Sequence, residues 1–169
     1  MDTTVSILRR RSIRKYADRE VDSAAVEQLL RAGMYAPSAR DTRAWHFIVV
    51  DDRALLDQIP TFHPYSAMLK EAPLAIVVCG DLQQEKRLEY LALNCSAATQ
   101  NILLAAQDAG LGAVWLGIYP KQDRADGLTK LLGLPAHIAP ISLIAVGYPA
   151  ESPETQDRYD VTKIHHNGW

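Results

Sequence analysis

Cysteine is scarce in this chain. The 169 residues hold two, Cys79 and Cys95, in separate segments without C-x-x-C spacing, a usage that excludes a disulfide scaffold and points to a reducing compartment. Long apolar runs are missing as well: the longest, Leu74–Cys79, has six residues, against the ~20 that span a bilayer. The opening MDTTVSILRRR has no apolar h-region and no cleavage pattern, so a cytoplasmic protein without membrane attachment is expected. Charge of one sign is not in excess. A net charge of −2 argues against a surface built for nucleic acid. Neither a G-x-G-x-x-G nor a G-x-x-x-x-G-K-[ST] loop occurs, so phosphate is not held by those devices. Ser12 and Ser38 lack a G-x-S-x-G elbow, which leaves serine hydrolysis unsupported.

What is present is ordinary globular material: 48% hydrophobic and 22% charged residues, enough to bury a core in one domain over residues 1–169 without metal or disulfide. No repeat or flexible linker divides it. Helices are predicted over 2–9, over 23–35 behind the N-cap Asp22, over 53–58, over 121–132, and most clearly over 85–109. There Leu88, Leu91, Cys95, Ala98, Ile102 and Ala106 recur at helical spacing, and Leu93, Ala97 and Leu104 add apolar residues to the other face, which predicts burial nearly all round. Residues 64–71 read as weakly helical. Strands are predicted at 46–50, 74–79, 113–119 and 141–148. After Pro149 the chain turns polar and ends KIHHNGW, a tail suited to docking on another surface. The mixture is α/β or α+β.

Three segments carry candidate chemistry. Arg9, Arg10, Arg11, Arg14, Lys15 and Arg19 concentrate in the first 19 residues. Guanidinium groups beside the Ser12 hydroxyl suit a small phosphate dianion, although an arginine cluster by itself is more often a solvated arm. The loop Ala36–Arg43 offers small residues that let backbone approach a planar ligand, or it is a plain connection. Leu116-Gly117, at a predicted strand end, can present backbone N–H groups to a ring edge, or mark a bend. His165 and His166 lack a third ligand at sensible spacing, so no metal is expected. Cys79 and Cys95 sit in apolar surroundings and read as core.

Together these segments resemble the FMN-dependent nitroreductase family in its short, single-domain form. The resemblance rests on RRSIRKYADREV, APSARDTRAWHFIVVDD, EAPLAIVVCGD, NCSAATQNILLAAQDAGLGAVWLG and the terminal KIHHNGW, in that order over essentially the whole chain. It implies an α+β fold, with a mixed sheet between helices. It also implies an intertwined homodimer whose residues 150–169 clasp the partner, with FMN at the interface.

Carried over, Arg10, Arg11, Ser12 and Arg14 match the family's FMN-binding basic motif. Arg10 and Ser12 face the phosphate, Lys163 joins them, and Arg14 lies near flavin N1/O2. Pro37, Ser38 and Ala39, from the partner, match the loop against the flavin; Leu116 and Gly117 match the segment at its N5–O4 edge. Where family members often read S-x-x-N-x-Q-P-W, this chain reads SARDTRAW from Ser38, putting Asp41 and Arg43 in place of amides. That leaves three roles open: a pair with each other, flavin contacts, or Arg43 toward an anionic substrate or the phosphate of NAD(P)H. No protein side chain is expected to act as catalyst, since the chemistry belongs to the flavin. The expected activity is ping-pong hydride transfer from NAD(P)H through flavin N5 to a small electron-poor acceptor such as a nitroaromatic or quinone. The alternative is a non-catalytic protein that stores or delivers FMN.

Overall fold

The structure, a computed structural model, describes residues 2–169. Its elements are α1 (Thr3–Arg9), α2 (Ser23–Met34), β1 (Trp45–Val50), α3 (Arg53–Leu56), β2 (Leu74–Asp81), α4 (Leu88–Asp108), β3 (Gly112–Gly117), α5 (Gln122–Leu132) and β4 (Ile138–Gly147). Local chemistry starts and stops them. The carboxylates of Asp2, Asp22 and Asp52 accept the first free N–H groups of α1, α2 and α3, as N-caps do. Gly133, at φ 63°, ends α5 in the left-handed region that suits glycine. Residues 64–71, expected to be weakly helical, form a short 3-10 turn at Ala67–Lys70.

The class is α+β, as the resemblance implied, but the sheet is not mixed. Its order is β1-β2-β4-β3 and every neighbouring pair is antiparallel. Helix α4 carries the chain from β2 to β3, yet the two do not pair; β4 returns between them, antiparallel to both. The one parallel pairing among the described residues is an isolated bridge from Ser12 to Ala113.

Alternation along β2 divides the core. Ala75, Val77 and Cys79 face one side, against Ile13, Leu56, Ile59, Leu69 and Leu128. Leu74, Ile76 and Val78 face the other, against Leu29, Cys95, Ala98 and Ile102 of α2 and α4. Both cysteines are buried, and burial pushes both thiols up to about 12. Helix α4 departs from the expectation of burial all round: Leu93 is 66% exposed, because α4 packs on the sheet and α2 but meets little on its outer side. No helix among the described residues is long and apolar enough to cross a membrane.

Candidate functional site

Beyond α1 the chain runs extended beside the edge strand β3. The Ile13 N–H donates to the Ala113 carbonyl at 3.1 Å, and Ile13 is buried in the core. Only glycine fits opposite: a Cβ on Gly112 would stand 2.6 Å from Ile13 Cγ2. Fixing Ile13 orients its basic neighbours. Arg14 donates its backbone N–H to Glu151 Oε1 at 2.5 Å and lines a cavity. Arg10 is half-buried; burial first, then the Arg158 and Arg11 cations, hold its guanidinium below its ordinary value. An anion there would relieve that repulsion. Arg11 does other work: its guanidinium donates to the carbonyls of Leu8 (3.0 Å), Arg10 (2.8 Å) and Glu154 (3.1 Å), tying the start of the tail to the end of α1.

The cavity that Arg14 borders has a volume of about 440 Å³ and is lined also by His63, Tyr65, Trp115, Gly117 and Arg124. It opens on the free edge of β3. The Ile118 N–H donates inward, to Ile141 of the β4 segment, whereas the Ala113 carbonyl accepts outward, from Ile13. Successive residues of a strand face opposite edges, so Ala113, Trp115 and Gly117 turn both backbone groups outward, away from β4. Of the expected pair Leu116-Gly117, then, Gly117 alone offers an N–H to the cavity side. Leu116 faces β4 with its backbone and the core with its side chain.

The Gly117 carbonyl is gripped twice, by His63 Nε2 at 3.1 Å and Arg124 Nη1 at 2.7 Å. His63 is buried, and its Nδ1 accepts the Tyr65 N–H at 3.3 Å, so the proton resides on Nε2. Burial, then the Arg124 cation, push its pKa down from the usual imidazole value. Arg124 also lies over the Tyr65 ring, 5.4 Å from its centre. Its Nε is buried without a partner. His63 and Arg124 do not stand out in the sequence, because nothing local to either signals a contact with Gly117, which lies 54 positions from His63.

The loop after α2 lines a different cavity, of about 610 Å³, with Tyr35, Asp41, Arg43 and Trp45. Three of its residues adopt left-handed backbone: Arg40 (φ 57°), Asp41 (54°) and Arg43 (47°). Such conformations persist only where the surroundings hold them. Asn94 Oδ1 on α4 accepts the Ala39 N–H at 2.9 Å, the Ser38 hydroxyl accepts the Arg43 N–H at 3.0 Å, and Arg40 pairs with the buried Glu85. Asp41 and Arg43 take the first of their three open roles, a two-pronged pair at 2.8 and 2.6 Å. Pro37 is exposed beside them. Lys163 lies on the exposed tail, 3.7 Å from Asp160, and His165 stacks on Trp169.

Comparison with known proteins interprets this geometry. The model of the Nitroreductase family matches residues 7–62 and 61–148. The chain belongs to the nitroreductase family. It is 52% identical, over its whole length and 88% of the relative, to a Methanothermobacter thermautotrophicus protein provisionally named NADH dehydrogenase/NAD(P)H nitroreductase. A crystal structure of a protein with the same provisional name, from Parabacteroides distasonis, superimposes with a TM-score of 0.95 at 50% identity. The match covers 99% of this chain and 98% of that one. An FMN-dependent nitroreductase from Clostridium difficile matches at a TM-score of 0.90 and 31% identity, over 98% and 99% of the two chains.

Proposed function

We propose that this protein is an FMN-dependent NAD(P)H oxidoreductase that passes hydride to small electron-poor acceptors, nitroaromatics and quinones among them. The reading rests on the β3 edge cavity, where a cation (Arg14), an outward N–H (Gly117) and aromatic side chains (Tyr65, Trp115) meet. Their chemistry fits a flavin. A methyl placed on Gly117 would meet nothing within 4 Å, so this chain's own packing leaves that face open to a ring. The strained electrostatics at Arg10 fit a phosphate, with Ser12 and Lys163 as further donors.

Bound FMN supplies hydride acceptance and donation at N5. The protein's part is to hold and orient it. Arg14 would sit by N1/O2, offsetting the negative charge that gathers there on reduction. The Gly117 N–H would meet the N5–O4 edge. Arg11 serves the site indirectly, by tying down the arm that carries Arg10.

The site is completed in a homodimer, on this reading. The loop with Pro37, Ser38 and Ala39 lies at a separate cavity in its own chain, and the same loop of a second copy would cover the flavin. Ile7 and Leu8 on α1, Leu93 on α4, and Tyr159, Val161 and Trp169 on the tail are exposed apolar side chains that such a partner would bury. On the same reading residues 150–169 are the clasping arm of a single-domain subunit that works in the cytoplasm, a location in keeping with its two free cysteines. Asp41 and Arg43 act on the flavin through the shape of the loop, which their two-pronged pair helps to hold.

The test is the visible spectrum of freshly purified or FMN-reconstituted protein, before and after anaerobic NADH or NADPH, with sedimentation alongside. Flavin bands at about 450 nm that bleach, on a dimer, support the proposal. Bands that persist with both nucleotides refute it in favour of a storage or delivery protein. Protein that cannot take up FMN refutes both.

A further inference from the structure

We infer that His63 and Arg124 are positioning residues, which grip the Gly117 carbonyl so that the N–H of the same residue stays aimed into the β3 edge cavity. The inference rests on the proposal above that a flavin occupies this cavity. It assigns a task to two side chains that lie outside the segments carrying the family resemblance.

Gly117 needs holding. It is the last residue of an edge strand, its carbonyl faces away from β4, and nothing lies within 4 Å of where its Cβ would be to pack against it. Glycine in such a place samples more conformations than any other residue. Beyond it, the chain bends so that the Ile118 and Tyr119 N–H groups both converge on the Ile141 carbonyl. Regular pairing therefore stops where the proposed flavin contact begins. Two donors from separate parts of the fold meet on the one carbonyl oxygen, His63 from the turn before Ala67 and Arg124 from α5. Fixing that oxygen fixes ψ at Gly117. The Gly117 N–H lies in the preceding peptide plane, with the Leu116 carbonyl that faces β4; holding the next plane by its oxygen keeps this last stretch of an edge strand from fraying, and so keeps that N–H in line.

Stability accounts for part of the arrangement, since the buried His63 Nε2–H needs an acceptor, but not for a second donor on the same oxygen. An edge carbonyl beside an open cavity is satisfied by water at little cost. Here a buried histidine and an arginine are committed to it, and Arg124 keeps a buried Nε without a partner, which opposes folding rather than favouring it. The imidazole is also prepared as a fixed donor. Tyr65 holds Nδ1 as an acceptor, which leaves the hydrogen on Nε2 directed at Gly117.

The experiment compares wild type, His63→Ala, His63→Gln and Arg124→Ala, with Arg124→Lys as a milder variant should Arg124→Ala not fold. In flavin-free protein the 13C carbonyl resonance of Gly117 is recorded. In FMN-loaded protein the midpoint potential and the anaerobic rate of flavin reduction at saturating NAD(P)H are measured. Loss of either donor is expected to move the Gly117 resonance, shift the potential, and slow reduction roughly ten- to hundred-fold. Glutamine, whose amide N–H can replace Nε2–H, recovers most of the loss. Variants that fold and keep the wild-type resonance, potential and rate overturn the inference. So does equal damage from alanine and glutamine at His63, which would mean that the ring matters only as packing. A wild-type protein that takes no FMN overturns the functional reading instead, while the Gly117 resonance still reports whether the grip exists.

Discussion

Gly117→Ala separates the site from the fold. A Cβ at this position meets nothing within 4 Å, and the residue is extended rather than left-handed, so alanine is accommodated without strain. Removing glycine's freedom in the unfolded chain should stabilise the flavin-free protein by about 0.4–1 kcal/mol. At this chain length that corresponds to a rise of roughly 1–4 °C in Tm. The same methyl would intrude where the flavin is proposed to lie against the strand. If overpacking there costs about 1–3 kcal/mol, FMN affinity falls roughly 5- to 150-fold. The assay pairs thermal denaturation of the apoprotein with an FMN titration followed by flavin fluorescence. Gly112→Ala is the contrast: its Cβ would stand 2.6 Å from Ile13 Cγ2, so it should lower Tm. Gly117→Ala protein that binds FMN as wild type does would refute the placement of the flavin. A Tm as low as that of Gly112→Ala would refute the packing argument beneath it.

Other outcomes follow from the same geometry. Arg14→Ala should lower the flavin midpoint potential: a pair about 4 Å apart is worth roughly 1–4 kcal/mol between aqueous and protein-surface dielectrics, or about 20–90 mV for a two-electron couple. Arg10→Ala should instead raise the Kd for FMN, and redox titration of the two variants distinguishes the roles. Gly127→Ala should destabilise by about 1–3 kcal/mol, because its Cβ would collide with the Phe62 ring at Cδ2; urea denaturation measures it. The Arg87 N–H first, and Arg40 with it, hold the Glu85 carboxyl below its ordinary range. A carboxylate lowered by folding adds stability above its unfolded pKa, and that stability is lost as pH falls through the folded value. Wild type and Glu85→Gln should therefore differ in stability at neutral pH, start to converge as pH falls past the unfolded glutamate value of about 4.3, and meet only below the lowered folded value; a constant gap down to acid would refute the pairing.

Much of this protein is legible in its residue order alone. The cap at Asp22, the spacing along α4 and the apolar run of β2 are local signals, set within a turn or a few residues, and they put these elements within a few positions of where they lie. Arg14 and Gly117 are legible as candidates through motif order. Partnership is not. An apolar strand encodes that it is buried, not which neighbour it pairs with, so the insertion of β4 between β2 and β3 cannot be read from either. Nor can the exposure of Leu93, since an apolar residue on the outer face of a helix reads the same beneath a core or beneath a second subunit. Asp41 and Arg43, two residues apart, have three open roles until the left-handed backbone of their loop brings them face to face. His63 and Arg124 meet only because the turn before Ala67 and α5 both pack against the end of β3. Elements and the chemistry on offer are written in the sequence, because they depend on neighbours along the chain. Which carbonyl the imidazole and the guanidinium hold is settled by packing, because it depends on neighbours across the fold.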